Sequence, residues 1–394
     1  MQKFLTALVL VLFGAGVTFV VTVSELSKYY TAEIDRVTAS QSEIATKTTE
    51  LEAYIDKYFV GDADKTAMAD AAASAMVTAT GDRWSYYISA DSYASYMEQM
   101  NNAYVGVGIT IAAAEDGSGL TVMEVTAGGP AEEAGVQVGD VMVSVDSTSI
   151  ADMTTAEVRD LVRGEEGTTV DLGFRRGEET VTLTVERRTI DQVVTTGELL
   201  DGNIGYVKIV NFDSNCAAQT IAVIEDLMDQ GAESLLFDVR YNPGGYKDEL
   251  VKVLDYLLPE GVLFRSVRTD GTESIDYSDE SCVDLPMAVL VNGDSYSAAE
   301  FFAAALQEYG VGQVVGSQTC GKGYFQNTYR LSDGSAVSLS SGTYYTPNNV
   351  SLANVGVTPD IPVDLTEDDA ALLYYDQLAQ SDDAQLQAAL EALR

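Results

Sequence analysis

The chain contains no histidine, one tryptophan, three cysteines and seven prolines, and it carries 22 basic residues against 61 acidic ones. Three of these shortages exclude something. Without histidine there is no Ser-His-Asp triad and no His-ligated metal site, so a nucleophilic serine would need a different base. A lysine can serve if burial lowers its pKa enough to populate the neutral amine. Cys216, Cys282 and Cys320 are odd in number and lack metal-ligand spacing, so at most one disulfide could form and a disulfide scaffold is excluded. The formal charge of -39 repels nucleic acid and anionic lipid alike, and reads as a solvated acidic surface rather than a binding device.

What is present gathers between Asn292 and Gln326, in NGDSYSAAEFFAAALQEYGVGQVVGSQTCGKGYFQ. Residues 298 to 309 are Ala-rich and apolar without Gly or Pro, which predicts a buried helix stopped by Gly310. Ser297 stands at its start, where unpaired N–H groups and the positive end of the helix dipole can stabilise an oxyanion. Val314-Val315 reads as a short strand leading into the turn Cys320-Gly321-Lys322-Gly323, whose glycines let backbone close around the lysine. The pattern nominates Ser297 as nucleophile, Lys322 as base, and Gln326, four residues on, as the group that orients the amine. A plainer account stands beside it, because Ser297 and Glu300 also form an S-x-x-E capping box. Cys320 reads as a small buried thiol.

Taken in order, residues 4 to 23 are about 20 apolar or weakly polar residues behind Lys3, long enough to span a bilayer. The expectation is an export signal retained as a membrane anchor, with everything after Val23 outside the cell, or secreted if the segment is cleaved at Gly14-Ala15-Gly16. Val37, Ile44, Leu51 and Tyr58 fall at strict sevens, with Ile34 and Ile55 on a neighbouring row. This weak heptad suits a stalk helix that pairs with a second chain as a homodimer, or packs on the body. A further helix is expected from Lys65 to Thr80, closed by Gly81, followed by GDRWSYY at 81 to 87.

From Tyr104 short strands alternate apolar with polar residues, as in YVGVGITI, LTVMEV, VMVSVDS, TTVDLGF and TVTLTVE, with short helices at 130 to 135 and 154 to 163. After Arg188 strands and helices alternate: GYVKIVNF, helix 216 to 230, SLLFDV, helix 247 to 257 and MAVLVN, the pattern of an α/β core. Asp238 to Gly245, DVRYNPGG, leaves a buried strand on Pro and two glycines, which frees backbone N–H groups to face a ligand.

The Ser297, Lys322 and Gln326 stretches together resemble the active-site region of the C-terminal processing peptidases, the tail-specific serine proteases. In that family the serine before Ala-x-Glu, the lysine of a Gly-Lys-Gly turn and the glutamine four residues on form a Ser-Lys-Gln triad. Asp294 and Tyr296 depart from the small residues that usually precede the serine. The DVRYNPGG segment resembles the one that contributes an oxyanion-hole N–H, which implies a hole made by Gly244 or Gly245 together with Ala298. The strands and helices from 101 to 190, with PAEEAGVQVGD at 130 to 140, resemble a PDZ domain. Its carboxylate-binding loop would be Gly106, Val107, Gly108 and Ile109, holding a substrate's terminal carboxylate.

The resemblance implies a multidomain protein: a segment at 1–23, a helical N-terminal region at 24–100, a PDZ domain (β-rich with two helices) at 101–190, an α/β crotonase-like peptidase core at 191–365 and a C-terminal helical segment at 366–394. It implies a serine endopeptidase acting on the C-terminal tails of extracytoplasmic proteins, with no metal or cofactor, and a PDZ domain that binds the tail and gates activity. The alternatives are a catalytically inactive exported PDZ adaptor, which the presence of Ser, Lys and Gln opposes; a trypsin-like PDZ protease, which the lack of histidine excludes; and a cell-surface structural protein, which leaves the lysine turn unexplained.

Overall fold

The computed structural model describes residues 43–114 and 117–394. Contacts divide the chain after Ala75 into two compact units. The first contains α1 (Glu43–Tyr58) and most of α2 (Lys65–Thr78), tied together by a Lys65 ammonium that donates to Glu52 and Asp56. Ile44, Leu51 and Tyr58 are 50%, 57% and 66% exposed, so the described part of the heptad row faces solvent. Ile34 and Val37 lie outside the described residues.

The expected membrane anchor, and with it the cell-membrane location, is corrected here. The run from 4 to 23 lies outside the described residues, and among those described no helix is long and apolar enough to cross a membrane. The longest, α1, has 16 residues, which is about 24 Å at the helical rise against a hydrocarbon core of about 30 Å. It also has no buried residue and is studded with Glu, Lys and Thr.

The second unit opens with β1 (Tyr86–Ile88) and α3 (Ala90–Met100), whose N-cap Ser89 accepts from the Ser92 N–H. A β-rich body follows: β2 (Ala103–Gly106), β3 (Ile109–Ala113), β4 (Leu120–Val125), α4 (Pro130–Glu133), β5 (Val141–Val145), β6 (Thr148–Ser149), α5 (Thr155–Val162), β7 (Thr169–Arg176), β8 (Glu179–Glu186) and β9 (Arg188–Asp191). Its antiparallel sheet runs β3-β4-β5-β7-β8, with β6 on β5, while β2 pairs with β9 where the chain enters and leaves. Alternation drives this: Val170, Leu172 and Phe174 of β7 all point into a core with Val122, Met142, Val158 and Val185, each fully buried. YVGVGITI reads as one strand, yet it breaks into β2 and β3 because Gly108 takes a φ of 76°.

The remaining chain contains β10 (Thr195–Leu200), β11 (Ile204–Ile209), α6 (Cys216–Asp229), β12 (Ser234–Asp238), α7 (Lys247–Leu257), β13 (Gly261–Arg268), β14 (Glu273–Ser278), β15 (Met287–Val291), α8 (Ala298–Tyr309), β16 (Gly312–Gly316), β17 (Tyr324–Arg330), β18 (Ala336–Tyr345), β19 (Ile361–Pro362), α9 (Glu367–Tyr374) and α10 (Ala384–Ala392). One sheet runs β10-β11-β12-β15-β16-β19 and is parallel from β11 onward. Every residue of β12 and β15 is buried, as a parallel sheet covered on both faces requires. Leu235, Phe237, Val289 and Val291 pack with α6, α7 and α8, while Leu236, Ala288 and Leu290 meet Leu386 and Ala389 of α10. In a second sheet β18 pairs with β1, β13 and β17. That pairing sets β18 between β1 and β17, the strand that leaves the lysine turn.

Candidate active site

The helix predicted at 298 to 309 forms as α8 with those bounds, and Ser297 is its N-cap at φ 61°, ψ −120°. A positive φ is sterically costly for a residue with a Cβ, and such strain persists only where packing over-determines it. The packing is visible: a Cβ on Gly244 would lie 2.6 Å from Ser297 Cβ and 2.9 Å from the Ala298 nitrogen, so only glycine lets the DVRYNPGG turn close on Ser297. Asn242 holds that turn, donating to the Ile209 carbonyl at 2.8 Å and accepting from the Gly244 N–H at 2.8 Å. The Gly244 N–H is thereby committed. No acceptor for the Gly245 and Ala298 N–H groups is found among the described residues. Of the two glycines considered for the hole, Gly245 therefore has the open donor and Gly244 the close approach.

Glu300 joins Ser297 to the lysine turn. Its carboxylate is fully buried. Oε1 accepts from Thr319 Oγ1 at 2.5 Å and Gly321 N–H at 2.6 Å, and Oε2 accepts from Lys322 N–H at 2.9 Å and Ser297 N–H at 3.0 Å. One side chain thus fixes the spacing of both backbones. Gly321 and Gly323 do what the sequence suggests: a Cβ on Gly323 would meet the Ala353 nitrogen at 2.4 Å, and Gly321 has a φ of 84°. Tyr344, 3% exposed, donates to the Lys322 carbonyl. Burial pushes its phenol far up, so it stays protonated.

Burial also pushes the Lys322 amine down to about 8, against the opposing pull of Glu300, Asp82 and Cys320. Its Nζ lies 4.9 Å from the centre of the Trp84 ring and 5.9 Å from that of Tyr296, with no hydrogen bond to Ser297 Oγ or to any other described residue. Gln326 is on β17 beyond a bulge at Phe325, and its amide donates to the Tyr324 carbonyl at 3.0 Å and to Ser340 Oγ at 3.2 Å, not to the lysine. It reaches the amine's surroundings indirectly: the Ser340 N–H donates to Ser85 Oγ at 3.0 Å, which donates to Asp82 Oδ2 at 2.5 Å. Burial works to raise the Asp82 pKa, but hydrogen bonds from Ser340, Ser85 and the Trp84 N–H, with the Lys322 charge, bring it below the ordinary range. Glu300, Tyr344, Asp82 and Trp84 were not read as site residues from the sequence. The only signals were the S-x-x-E spacing and the GDRWSYY motif.

In the β-rich body the Gly106 to Ile109 loop spans the break between β2 and β3. The Val107 and Gly108 carbonyls accept from the Ala131 N–H at 2.9 Å and the Thr126 N–H at 2.9 Å. β3 ends the sheet order, so its outer edge has no strand partner among the described residues. No metal-binding cluster of His, Cys, Asp or Glu occurs among the described residues.

Residues 203–363 match Peptidase family S41 and residues 121–176 match a PDZ domain. The chain is 34% identical over 309 residues to carboxyl-terminal-processing peptidase 2, chloroplastic, of Arabidopsis thaliana, covering 73% of this chain and 59% of that protein. It is 31% identical over 346 residues to the C-terminal processing peptidase, chloroplastic, of Tetradesmus obliquus, covering 79% and 74% respectively. A solved photosystem II D1 C-terminal processing protease is similar over 79% of this chain and 85% of its own, at 30% identity and a TM-score of 0.46. With a PDZ domain ahead of its catalytic region, the chain belongs to peptidase family S41, the C-terminal processing serine peptidases.

Proposed function

We propose that the protein is a serine endopeptidase that binds the C-terminal tail of a protein substrate in its PDZ domain and cleaves nearby with Ser297 and Lys322. The single observation that carries this is the Glu300 carboxylate, which hydrogen-bonds the backbones of Ser297 and Lys322 at once. A neutral Lys322, available as pH rises through about 8, takes the Ser297 proton as Oγ attacks the scissile carbonyl. The N–H groups of Ala298 and Gly245 receive the oxyanion, with Gly244 giving the close approach. The lysine ammonium returns its proton to the leaving amine, and water then releases the acyl group. The Nζ must swing from the Trp84 ring toward Oγ, a tightening that free enzymes commonly need.

The finer reading includes a helical region to residue 100, a PDZ domain at 101–190, a crotonase-like core at 191–365 and a terminal helical segment at 366–394. Gln326 acts through Ser340 and Ser85 rather than directly. The loop Gly106, Val107, Gly108 and Ile109 takes the tail carboxylate while β3 offers its open edge to the peptide, which also suits a gating role for the PDZ domain. The exposed apolar row of the first described helix suits pairing with a second copy of the chain.

Ser297→Ala and Lys322→Ala are each expected to abolish cleavage of an unfolded protein such as casein, because nucleophile and base act as a unit. Appreciable residual cleavage by either variant, with native circular dichroism, sinks the assignment.

A further inference from the structure

The Lys322 amine lacks a hydrogen bond among the described residues, yet its surroundings are not featureless. Trp84 and Tyr296 present rings 4.9 Å and 5.9 Å from Nζ, with their own centroids 5.7 Å apart and planes 36° from parallel, so they form two walls around it. A ring face carries negative charge density, which attracts an ammonium and offers a neutral amine little. The tryptophan is anchored. Asp82 Oδ1 accepts from its backbone N–H at 3.1 Å, Oδ2 accepts from Ser85 Oγ, and the Ser340 N–H fastens Ser85 to β18.

We propose that Trp84, fixed by Asp82 and Ser85, is a positioning residue for the base: its ring holds the ammonium form of Lys322 and releases the neutral amine toward Ser297. This rests on the reading of Lys322 as the base. The other charged or titratable groups about the amine are Glu300 of α8, Asp82 ahead of β1, Cys320 in the lysine turn, and the phenols of Tyr296 and Tyr344. Arg83 completes the set, with its guanidinium 4.2 Å from the Trp84 ring and donating to Cys320 Sγ at 3.2 Å. Burial favours the neutral amine, whereas the ring and the carboxylates favour the ammonium. The opposition keeps both forms within reach near neutral pH. Because Nζ rests at the ring as the ammonium and moves to Oγ as the neutral amine, the ring sets the pH at which the base is released and the position from which it swings.

Trp84 is the only tryptophan in the chain, so emission excited at the red edge, beyond the absorption of the 22 neutral tyrosines, reports on this pocket. We expect that emission to titrate with an inflection near pH 8, to lose it in Lys322→Met, and to keep it in Cys320→Ser, which removes the neighbouring thiol. An inflection that survives Lys322→Met, or that vanishes only in Cys320→Ser, overturns the proposal. Trp84→Leu keeps apolar bulk and loses the ring face. Its pH–rate midpoint should fall by about half a unit to one and a half units, with kcat reduced and KM nearly unchanged, while Trp84→Phe shifts less. An unmoved midpoint in Trp84→Leu also overturns it. Loss of cleavage in Lys322→Met without any inflection in the wild type rejects the role of Trp84 and leaves the base standing; cleavage retained in Lys322→Met rejects the base itself.

Discussion

Glu300→Gln is the sharpest test of how the site is held together. The side chain keeps its shape, but one of two acceptor oxygens becomes an NH2 group. Either oxygen faces two donors: Thr319 Oγ1 and Gly321 N–H, or Lys322 N–H and Ser297 N–H. The amide will turn its NH2 toward Thr319, because a hydroxyl can rotate to accept and a backbone N–H cannot. That still strands the Gly321 N–H and weakens the remaining bonds from charged to neutral. A bond to a charged group contributes about 1.5 to 3 kcal/mol, so losing one or two costs about 2 to 6 kcal/mol, offset in part because a neutral amide is cheaper to bury than a carboxylate. We expect a net loss of about 2 to 3 kcal/mol, read as a lower denaturant midpoint. Activity should fall further than stability implies, by about a hundredfold in kcat, since the carboxylate sets the distance between Ser297 and Lys322, the proposed nucleophile and base. The midpoint of the pH–rate profile should also move to lower pH, because the Glu300 charge supports the Lys322 ammonium. A variant with wild-type kcat, midpoint and denaturation curve would refute the view that Glu300 couples the two segments.

Two further outcomes are expected. Asp213 is buried, its Oδ1 has no partner among the described residues, and burial pushes its pKa up to about 7. The native state therefore holds a proton that the unfolded state releases near 4, so this carboxyl's contribution is full at acid pH and is lost as pH rises through about 7. Asp213→Asn should then melt higher than wild type at pH 8 and nearly level with it at pH 4; an equal gain at both values contradicts the assignment. Peptides ending in an amide should bind the full-length Ser297→Ala protein about one to two powers of ten more weakly than the same peptides ending in a free acid, as the loss of a charge-assisted bond requires. Equal affinities would remove the Gly106 to Ile109 loop from tail capture.

What was legible in the sequence is what local chemistry dictates. The bounds of α8 follow from an Ala-rich, largely apolar run without Gly or Pro closed by Gly310, and the glycines about Lys322 announce a close approach that Ala353 and Asn354 then make. What was not legible depends on strand pairing across the chain. Trp84 stands by Lys322 because Tyr86 pairs with Ser338, and no spacing rule connects those positions. Gln326 seemed well spaced to orient the amine, but its four-residue offset crosses a bulge, and in a strand the side chain is sent to Ser340. Gly244 and Gly245 were indistinguishable until Asn242 took the first N–H. Glu300 lies between these cases. Reading S-x-x-E as a cap is correct, since Glu300 does accept from the Ser297 N–H. Reading the same serine as a nucleophile requires the carboxylate to have a second partner, and that partner, the Lys322 turn, arrives only after β16 has returned the chain to the start of α8. The structural and the proposed functional accounts of this serine are therefore not rivals: the cap that starts the helix also sets Ser297 and Lys322 in register, so weakening it should harm fold and chemistry together.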